Sequence, residues 1–382
     1  MNRLLASDYT ILARSEDSQN VFVGSPALAE LPSGRLVCSY EWFRGHPLKE
    51  KVPDQCETLF SDDAGHTWQP GGKADLMWAS PFAVGQALYL IGNLRGSRSI
   101  AICRSSDGGV SWSPPAVLFE GRYTNAPTAV TRRGNTIYRA FETCPPGNGN
   151  WQSLVVAGDA TRDLLDLAAW RMSNHVPYPG TPATFKQGDH PQGLYPPQKN
   201  IPEDGWLEGN VVDVGDRLRI ILRVRLQGEA TAGICGVCEV TDDDGGLTNR
   251  FLQFYPMPGG QCKFHIVPDP RTGLFWTAVT PVTDSFQPAE PLWEQGFKGS
   301  PGNERRVLVL MFSRDALNWF QAGFVAIAST FMESFSYTSQ LIHGDDLLIA
   351  ARTSLAGKNQ HDTNLVTLHR VKDFRALVPE GF

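Results

Sequence analysis

Apolar residues in this chain come in short runs, alternating with polar ones or briefly continuous. Leu36 to Tyr40, Leu88 to Ile91, Ile100 to Arg104, Thr136 to Phe141, Leu218 to Arg223, Val307 to Phe312 and Leu347 to Ala351 are such runs. Each is short for a helix and is bounded by turn-forming residues, so each is predicted to be a strand, and helix content should be low. The runs recur in blocks of about 45 residues, the period of propeller repeats. Six blocks can be drawn, at roughly 18–70, 75–118, 122–172, 205–256, 262–322 and 330–374. A strand near Tyr9 to Arg14 is expected to pair with the last block and close the ring. The fold expected is therefore one all-β domain over 1–382, a six-bladed β-propeller. Between Trp170 and Trp206 the chain is rich in Pro, Gly and His, and an ordered loop over the propeller mouth is expected there.

The turns repeat too. Ser61-Asp62-Asp63-Ala64-Gly65-His66-Thr67-Trp68 returns as Ser105-Ser106-Asp107-Gly108-Gly109-Val110-Ser111-Trp112. A weaker copy, Ser313-Arg314-Asp315-Ala316-Leu317-Asn318-Trp319, keeps the Ser, Asp and Trp, and Asp163 to Trp170 reads as a more eroded fourth. In such a unit the Asp carboxylate accepts backbone amides, Gly supplies a positive φ, and the Trp covers the hydrophobic side of the hairpin. These residues are structural staples. Asp242, Asp243 and Asp244 before Gly245-Gly246 read as a solvated turn and not as a calcium loop.

Composition narrows the function. The 37 Gly and 27 Pro fit many tight turns, and ten Trp argue against disorder. A net charge of −6 argues against nucleic acid as a partner. No apolar run approaches the ~20 residues of a membrane-spanning helix, and Met1 to Asp17 lacks a signal-like apolar core, so a cytoplasmic location is expected, with no membrane partner. A trimmed secreted chain would read the same way. Seven Cys, an odd count, sit poorly with a disulfide framework, and the lone Cys235/Cys238 pair reads as structural thiols. No nucleotide, haem or flavin motif appears, so no cofactor and no metal are expected; oligomeric state is left open.

With repeats of this type the chain resembles the sialidase (neuraminidase) superfamily and its Asp-box propellers. The family carries a Glu before a Val-Val-acid strand whose hairpin returns to an Arg; here Glu208-Gly209-Asn210-Val211-Val212-Asp213 leads to Arg223. It places an Arg eight residues before an Asp-box Ser, the position of Arg305 before Ser313, and a nucleophilic Tyr late in the chain, where Phe335-Ser336-Tyr337-Thr338-Ser339 stands. One departure matters. Where the family has Arg-Ile-Pro-Ala-Leu, this chain has Gly24-Ser25-Pro26-Ala27-Leu28, so the first member of an arginine trio that grips the sugar carboxylate is a glycine. Arg44, Lys263 and Arg98 are candidates to compensate.

The resemblance implies a glycan-directed exo-hydrolase on an acidic, carboxylated or sulfated sugar, with Tyr337 as nucleophile and Glu208 accepting its proton. Arg223 and Arg305 would bind the anion, and Glu50 or Asp54 would protonate the leaving oxygen. Trp42, Arg44, Tyr123, Asn125, Asn210, Lys263, His265 and His361 are further candidates for substrate contact, and Trp206 is a candidate stacking platform. Arg306 should face away from Arg305 into solvent. Bland readings compete: Glu208 as a strand-edge partner of a nearby Arg, Tyr337 as a core aromatic, the histidines as structural residues. Two other functions stay open. A polysaccharide lyase on uronic acids would use His265, Tyr123 and Arg223; a glycan-binding propeller would have no chemistry.

Overall fold

Short apolar runs set between turn residues can satisfy their backbone groups only by pairing, and the chain does so throughout. The computed structural model describes residues 4–44, 55–94, 98–144, 151–182, 204–226, 233–284, 294 and 304–382. After β1 (Tyr9–Arg14), blade one is β2 (Val21–Glu30), β3 (Leu36–Arg44), β4 (Gln55–Ser61) and β5 (Gln69–Ala74). Blade two is β6 (Leu76–Val84), β7 (Ala87–Leu94), β8 (Ile100–Ser105) and β9 (Ala116–Phe119). In blade three, β10 (Tyr123–Thr124) and β11 (Thr131–Arg133) both pair with β12 (Thr136–Thr143), followed by β13 (Gln152–Asp159) and β14 (Trp170–Met172). Blade four is β15 (Gly205–Asp213), β16 (Leu218–Arg225), β17 (Ile234–Asp243) and β18 (Gly246–Pro256). Blade five is β19 (Ile266–Pro268), β20 (Phe275–Val279), β21 (Val307–Ser313) and β22 (Phe320–Ile327). Blade six is β23 (Ser334–His343), β24 (Asp346–Ser354) and β25 (Leu365–Val371), completed by β1.

All the pairings within these sheets are antiparallel. Tyr9 lies opposite His369 and Arg14 opposite Leu365, so the N-terminal strand closes the ring as its sequence suggested. The six expected blocks coincide with the six sheets. The core is divided into wedges between neighbouring blades. Trp276, Leu308 and Leu310 of blade five, for example, meet Phe335, Leu347 and Ile349 of blade six. Cys235 and Cys238 fall into different wedges, both buried. None of the described helices is long and apolar enough to cross a membrane.

The repeated turns work as the sequence implied. Asp63 Oδ1 accepts the amide of Thr67 (2.8 Å) and Oδ2 its hydroxyl (2.6 Å); Asp107 does the same with Ser111 (2.9 and 2.5 Å). In the third copy Asn318 replaces the hydroxyl residue and bonds Asp315 Oδ2 through its amide (2.7 Å), while Ala316 takes the positive φ of 57°. The eroded fourth copy keeps less: Asp163 accepts the Leu165 amide (3.1 Å), and Trp170 donates to the Leu164 carbonyl.

Candidate active site

Four blades interrupt their innermost strand in the same way. The register slips between Gly24 and Ala27 in β2, Met77 and Ser80 in β6, Leu207 and Asn210 in β15, and Ser336 and Ser339 in β23. Each slip holds one non-glycine residue in the left-handed region: Ser25 (φ 53°), Trp78 (51°), Glu208 (58°) and Tyr337 (51°). That conformation costs an L-residue about 1–2 kcal/mol, so the surroundings must enforce it. What the bulges achieve is convergence. All four side chains leave the two-residue alternation of their strands and line one cavity of about 510 Å³, together with Phe22, Phe43, Arg44, Arg352, His361 and Asp362.

Buried polar groups beneath the cavity hold this strained backbone. Arg139 on β12 donates to the carbonyls of Trp78 (2.7 Å) and Ile91. Glu142 on the same strand accepts the amides of Gly209 (2.9 Å) and Glu208. Lys263 donates to the carbonyl of Thr338 (2.5 Å), the residue after Tyr337. Burial drives each towards its uncharged form: Glu142 is pushed up to about 8, Lys263 down to about 7 and Arg139 down to about 9. Gly209 has a packing reason as well, since a Cβ there would lie 2.6 Å from Ile220 Cγ2.

Around Tyr337 the charges concentrate. Arg223 Nη1 donates both to Glu208 Oε2 (2.9 Å) and to Tyr337 Oη (2.9 Å), and its Nε donates to the Gln261 carbonyl (2.7 Å). Glu208 thus meets the phenol through a shared guanidinium nitrogen. The guanidinium carbons of Arg305, Arg352 and Arg223 lie 5.0, 5.3 and 5.8 Å from the Tyr337 ring centre. His361 stands edge-on to the same ring at 6.4 Å and bonds Asp362 (3.0 Å). The Arg352 charge, then burial, push His361 down to about 4; the bond to His361 holds the Asp362 carboxyl at about 2. Near neutral pH this pair is a neutral imidazole beside a carboxylate.

No protein-family profile matches the chain, and no curated protein matches its sequence. Solved structures do match. The sialidase of Trypanosoma rangeli in complex with sialic acid superposes with a TM-score of 0.63 at 14% identity, over 97% of this chain and 59% of that one. A Hadza microbial sialidase gives 0.59 at 13%, over 97% and 69%. The α-L-arabinanase of Penicillium chrysogenum, complexed with arabinobiose, gives 0.58 at 11%, over 98% and 99%. The fold is a sialidase-type propeller. It spans about three-fifths of the trypanosomal protein it matches.

Within this sialidase-type propeller the candidates separate. Tyr337, Glu208, Arg223 and Arg305 come together, and Arg44, Asn125 and His361 line the same cavity. Asn125 is committed to the fold, since its amide donates to the Ala140 carbonyl (2.5 Å) and to Thr128 (3.1 Å). Lys263 lies below the cavity, bound to backbone. His265 faces the other way: its Nδ1 accepts the Gln340 amide (3.0 Å), and it lines a second cavity with Val267, Pro268 and Leu341. Asn210 ties blade four to blade five through Phe264 and Ile266. Glu50 and Asp54 lie outside the described residues.

Five expectations need correcting. Trp206 is fully buried, with its indole donating to the Trp151 carbonyl, and is no stacking platform. Trp42 packs edge-on to Tyr40 and bonds Glu57, away from the cavity. Tyr123 is a core residue beside Ile100 and Leu154. With Tyr123 in the core and His265 on another cavity, the lyase constellation does not assemble. Arg306 is not simply solvated; it pairs with the buried Glu304 (3.1 Å).

Arg352, Trp78, Phe22, Phe43 and Ser25 escaped sequence reading. Strand position was the wrong guide, because the bulges break the alternation on which facing arguments rest. For Arg352 a signal was present: an Arg inside the apolar run Leu347 to Ser354.

Proposed function

We propose that this propeller is a glycoside hydrolase that removes an acidic sugar, carboxylated or sulfated, from a glycan, with Tyr337 as nucleophile and Glu208 as its base. The observation that carries the reading is the Arg223 nitrogen shared by the Glu208 carboxylate and the Tyr337 phenol. A phenol is a weak nucleophile until its proton leaves. Here a carboxylate acceptor shares one guanidinium nitrogen with the phenol, and that fixed cation faces the oxygen on which charge develops. In the first step Oη of Tyr337 bonds to the anomeric carbon, its proton passes to Glu208, and the glycosidic C–O bond breaks. The departing oxygen keeps the bonding electron pair and takes a proton from an acid at the rim. Water then gives that acid its proton back and attacks the anomeric carbon. The phenolate leaves with its electron pair and recovers the proton from Glu208.

Asp362 does not suit the acid's part, because His361 holds it ionised. Glu50 and Asp54 remain the acids proposed for that step. An anionic substrate follows from charge balance. Three buried guanidiniums surround Tyr337; Glu208 pairs with Arg223, the Asp362 carboxylate acts on Arg352 without forming an ion pair, and among the described residues Arg305 makes none. Burying an unpaired charge costs several kcal/mol, which a bound anion offsets. The named activities among the structural neighbours, sialidase and arabinanase, are both glycoside hydrolysis.

The test is release of 4-methylumbelliferone from glycosides of N-acetylneuraminic acid, glucuronic acid, 6-sulfo-N-acetylglucosamine and α-L-arabinofuranose. Turnover of at least one anionic glycoside is expected. Tyr337→Phe should lower kcat by about 10³-fold or more, and Glu208→Gln by about 10²–10⁴-fold. Cleavage confined to the arabinofuranoside would overturn the acidic-sugar reading. Full rates in both variants would overturn the catalytic one. A product with new ultraviolet absorbance would mark a lyase, and binding without turnover, unaffected by Tyr337→Phe, a glycan-binding module.

A further inference from the structure

Arg352 reaches the cavity by a route that depends on a missing side chain. It leaves β24 in blade six and passes against the inner strand of blade one. A Cβ placed on Gly24 would lie 2.8 Å from both Cδ and Nε of Arg352 and 3.1 Å from its Cγ. Atoms that close do not coexist, so any residue but glycine at position 24 must displace the arginine stem. The guanidinium is fixed at its far end. Nε donates to Thr363 Oγ1 (3.3 Å), and Nη2 donates to the His361 carbonyl (2.5 Å). Both partners are neutral.

Its charge is bonded to no carboxylate, and Asp362 and Glu41 act on it only through space. Arg352 and Arg305 are each 5% exposed, and among the described residues neither makes an ion pair. Nε and Nη1 of Arg305 are buried without a hydrogen-bond partner. Two cations of this kind, on the ring that Arg223 also faces, have N–H groups left over that a planar anion accepts in pairs. Lys263 does not offer the same, being committed to the Thr338 carbonyl beneath the cavity.

We propose that Arg352, admitted by the bare backbone of Gly24, forms an anion seat with Arg223 and Arg305, and that positions 24 and 352 together set the preference for an anionic sugar. The proposal rests on the acidic-sugar reading of the same cavity. It adds two specificity-determining residues to it, one present as a side chain and the other as a deletion of one.

The experiment measures calorimetric affinity for N-acetylneuraminic acid, glucuronic acid and N-acetylglucosamine 6-sulfate, each against its uncharged partner, the methyl ester or the desulfated sugar. The full chain and the variants Arg352→Ala, Arg352→Lys, Gly24→Ala and Gly24→Arg/Arg352→Gly are compared, with thermal unfolding as a folding control. The native chain should prefer at least one anion over its uncharged partner. That preference should fall tenfold or more in Arg352→Ala and in Gly24→Ala, and partly in Arg352→Lys, which keeps the charge but loses the planar fork. The double variant places a guanidinium in the same space from the opposite strand, and it should restore the preference to within about threefold. An unchanged preference in folded Arg352→Ala overturns the proposal and leaves the acidic-sugar reading standing. A native chain that prefers no anion overturns both. Loss in Arg352→Ala without recovery in the double variant overturns the linkage to Gly24. Should Gly24→Ala not fold, the Arg352→Ala and double variants still decide.

Discussion

At the scale of single residues, the site is built from conformations that most side chains avoid. Glu208 and Tyr337 sit at positive φ, and small neighbours make room for that. Gly209 is closely confined: a methyl group there meets Ile220 Cγ2 at 2.6 Å and Ala140 Cβ at 3.1 Å. Gly209→Ala is expected to cost about 1–3 kcal/mol through overpacking, seen as a lower urea midpoint. Because the strain lands beside Glu208, hydrolysis should drop at a temperature where the variant is still fully folded; an unchanged kcat there would show that the bulge does not position the carboxylate. Glu208 and Arg223 could be picked out in the sequence because the segment that joins them resembles a known family pattern. Arg352 could not be placed, because its partner in space, Gly24, lies in a blade at the other end of the chain.

At the scale of elements, each blade is a sheet with apolar residues on both faces, stable only against its neighbours. The wedge between blades five and six shows the magnitude. Trp276 is fully buried against Phe312 and Phe374, and Trp276→Ala should cost about 3–5 kcal/mol in chemical denaturation. The ring is closed by β1 on β25, across a sequence separation of more than 350 residues. Removing residues 1–14 exposes the edge of β25 and the backbone groups it pairs. A loss of cooperativity and a tendency to aggregate are expected, visible as a broadened unfolding transition. The Ser-x-Asp turns, by contrast, take their internal geometry from bonds between residues at most four apart, from Asp63 to Thr67 and from Asp107 to Ser111, which is why that geometry could be read from the sequence alone.

At the scale of the whole molecule, buried ionisable groups give stability a specific pH dependence. Burial holds His265 at about 3 and His369 at about 4, against an ordinary 6.5. As pH falls below about 6.5 the unfolded chain binds protons that the folded protein refuses, so these residues cost stability down to about pH 4. Glu142 acts oppositely. Its folded value of about 8 exceeds the ordinary 4.5, so the stability it lends is full below pH 4.5 and is lost as pH rises to about 8. Glu142→Gln keeps an acceptor for the Gly209 amide and cannot ionise. Measured by thermal unfolding, the variant should gain on the native protein steadily from pH 5 to pH 8; a constant difference across that range would mean that Glu142 is charged in the fold.

The chain by itself determined the strands, the six blades, their closure and the stapled turns. The strands, blades and turns follow from period-two patterning and from contacts between residues near one another in sequence; the closure joins strands more than 350 residues apart and follows from the repeat, which leaves one strand over at the start of the chain. Glu208, Arg223, Arg305 and Tyr337 were marked only by the resemblance of their segments to the sialidase pattern. What only the tertiary structure decided is which side chains share the cavity. Bulges override the alternation that a sequence displays, and the ring brings Gly24 and Arg352 together although no local rule connects them. Trp206 and Tyr123 went into wedges between blades for the same reason: which face of a strand is buried, and against what, is settled by the neighbouring blade.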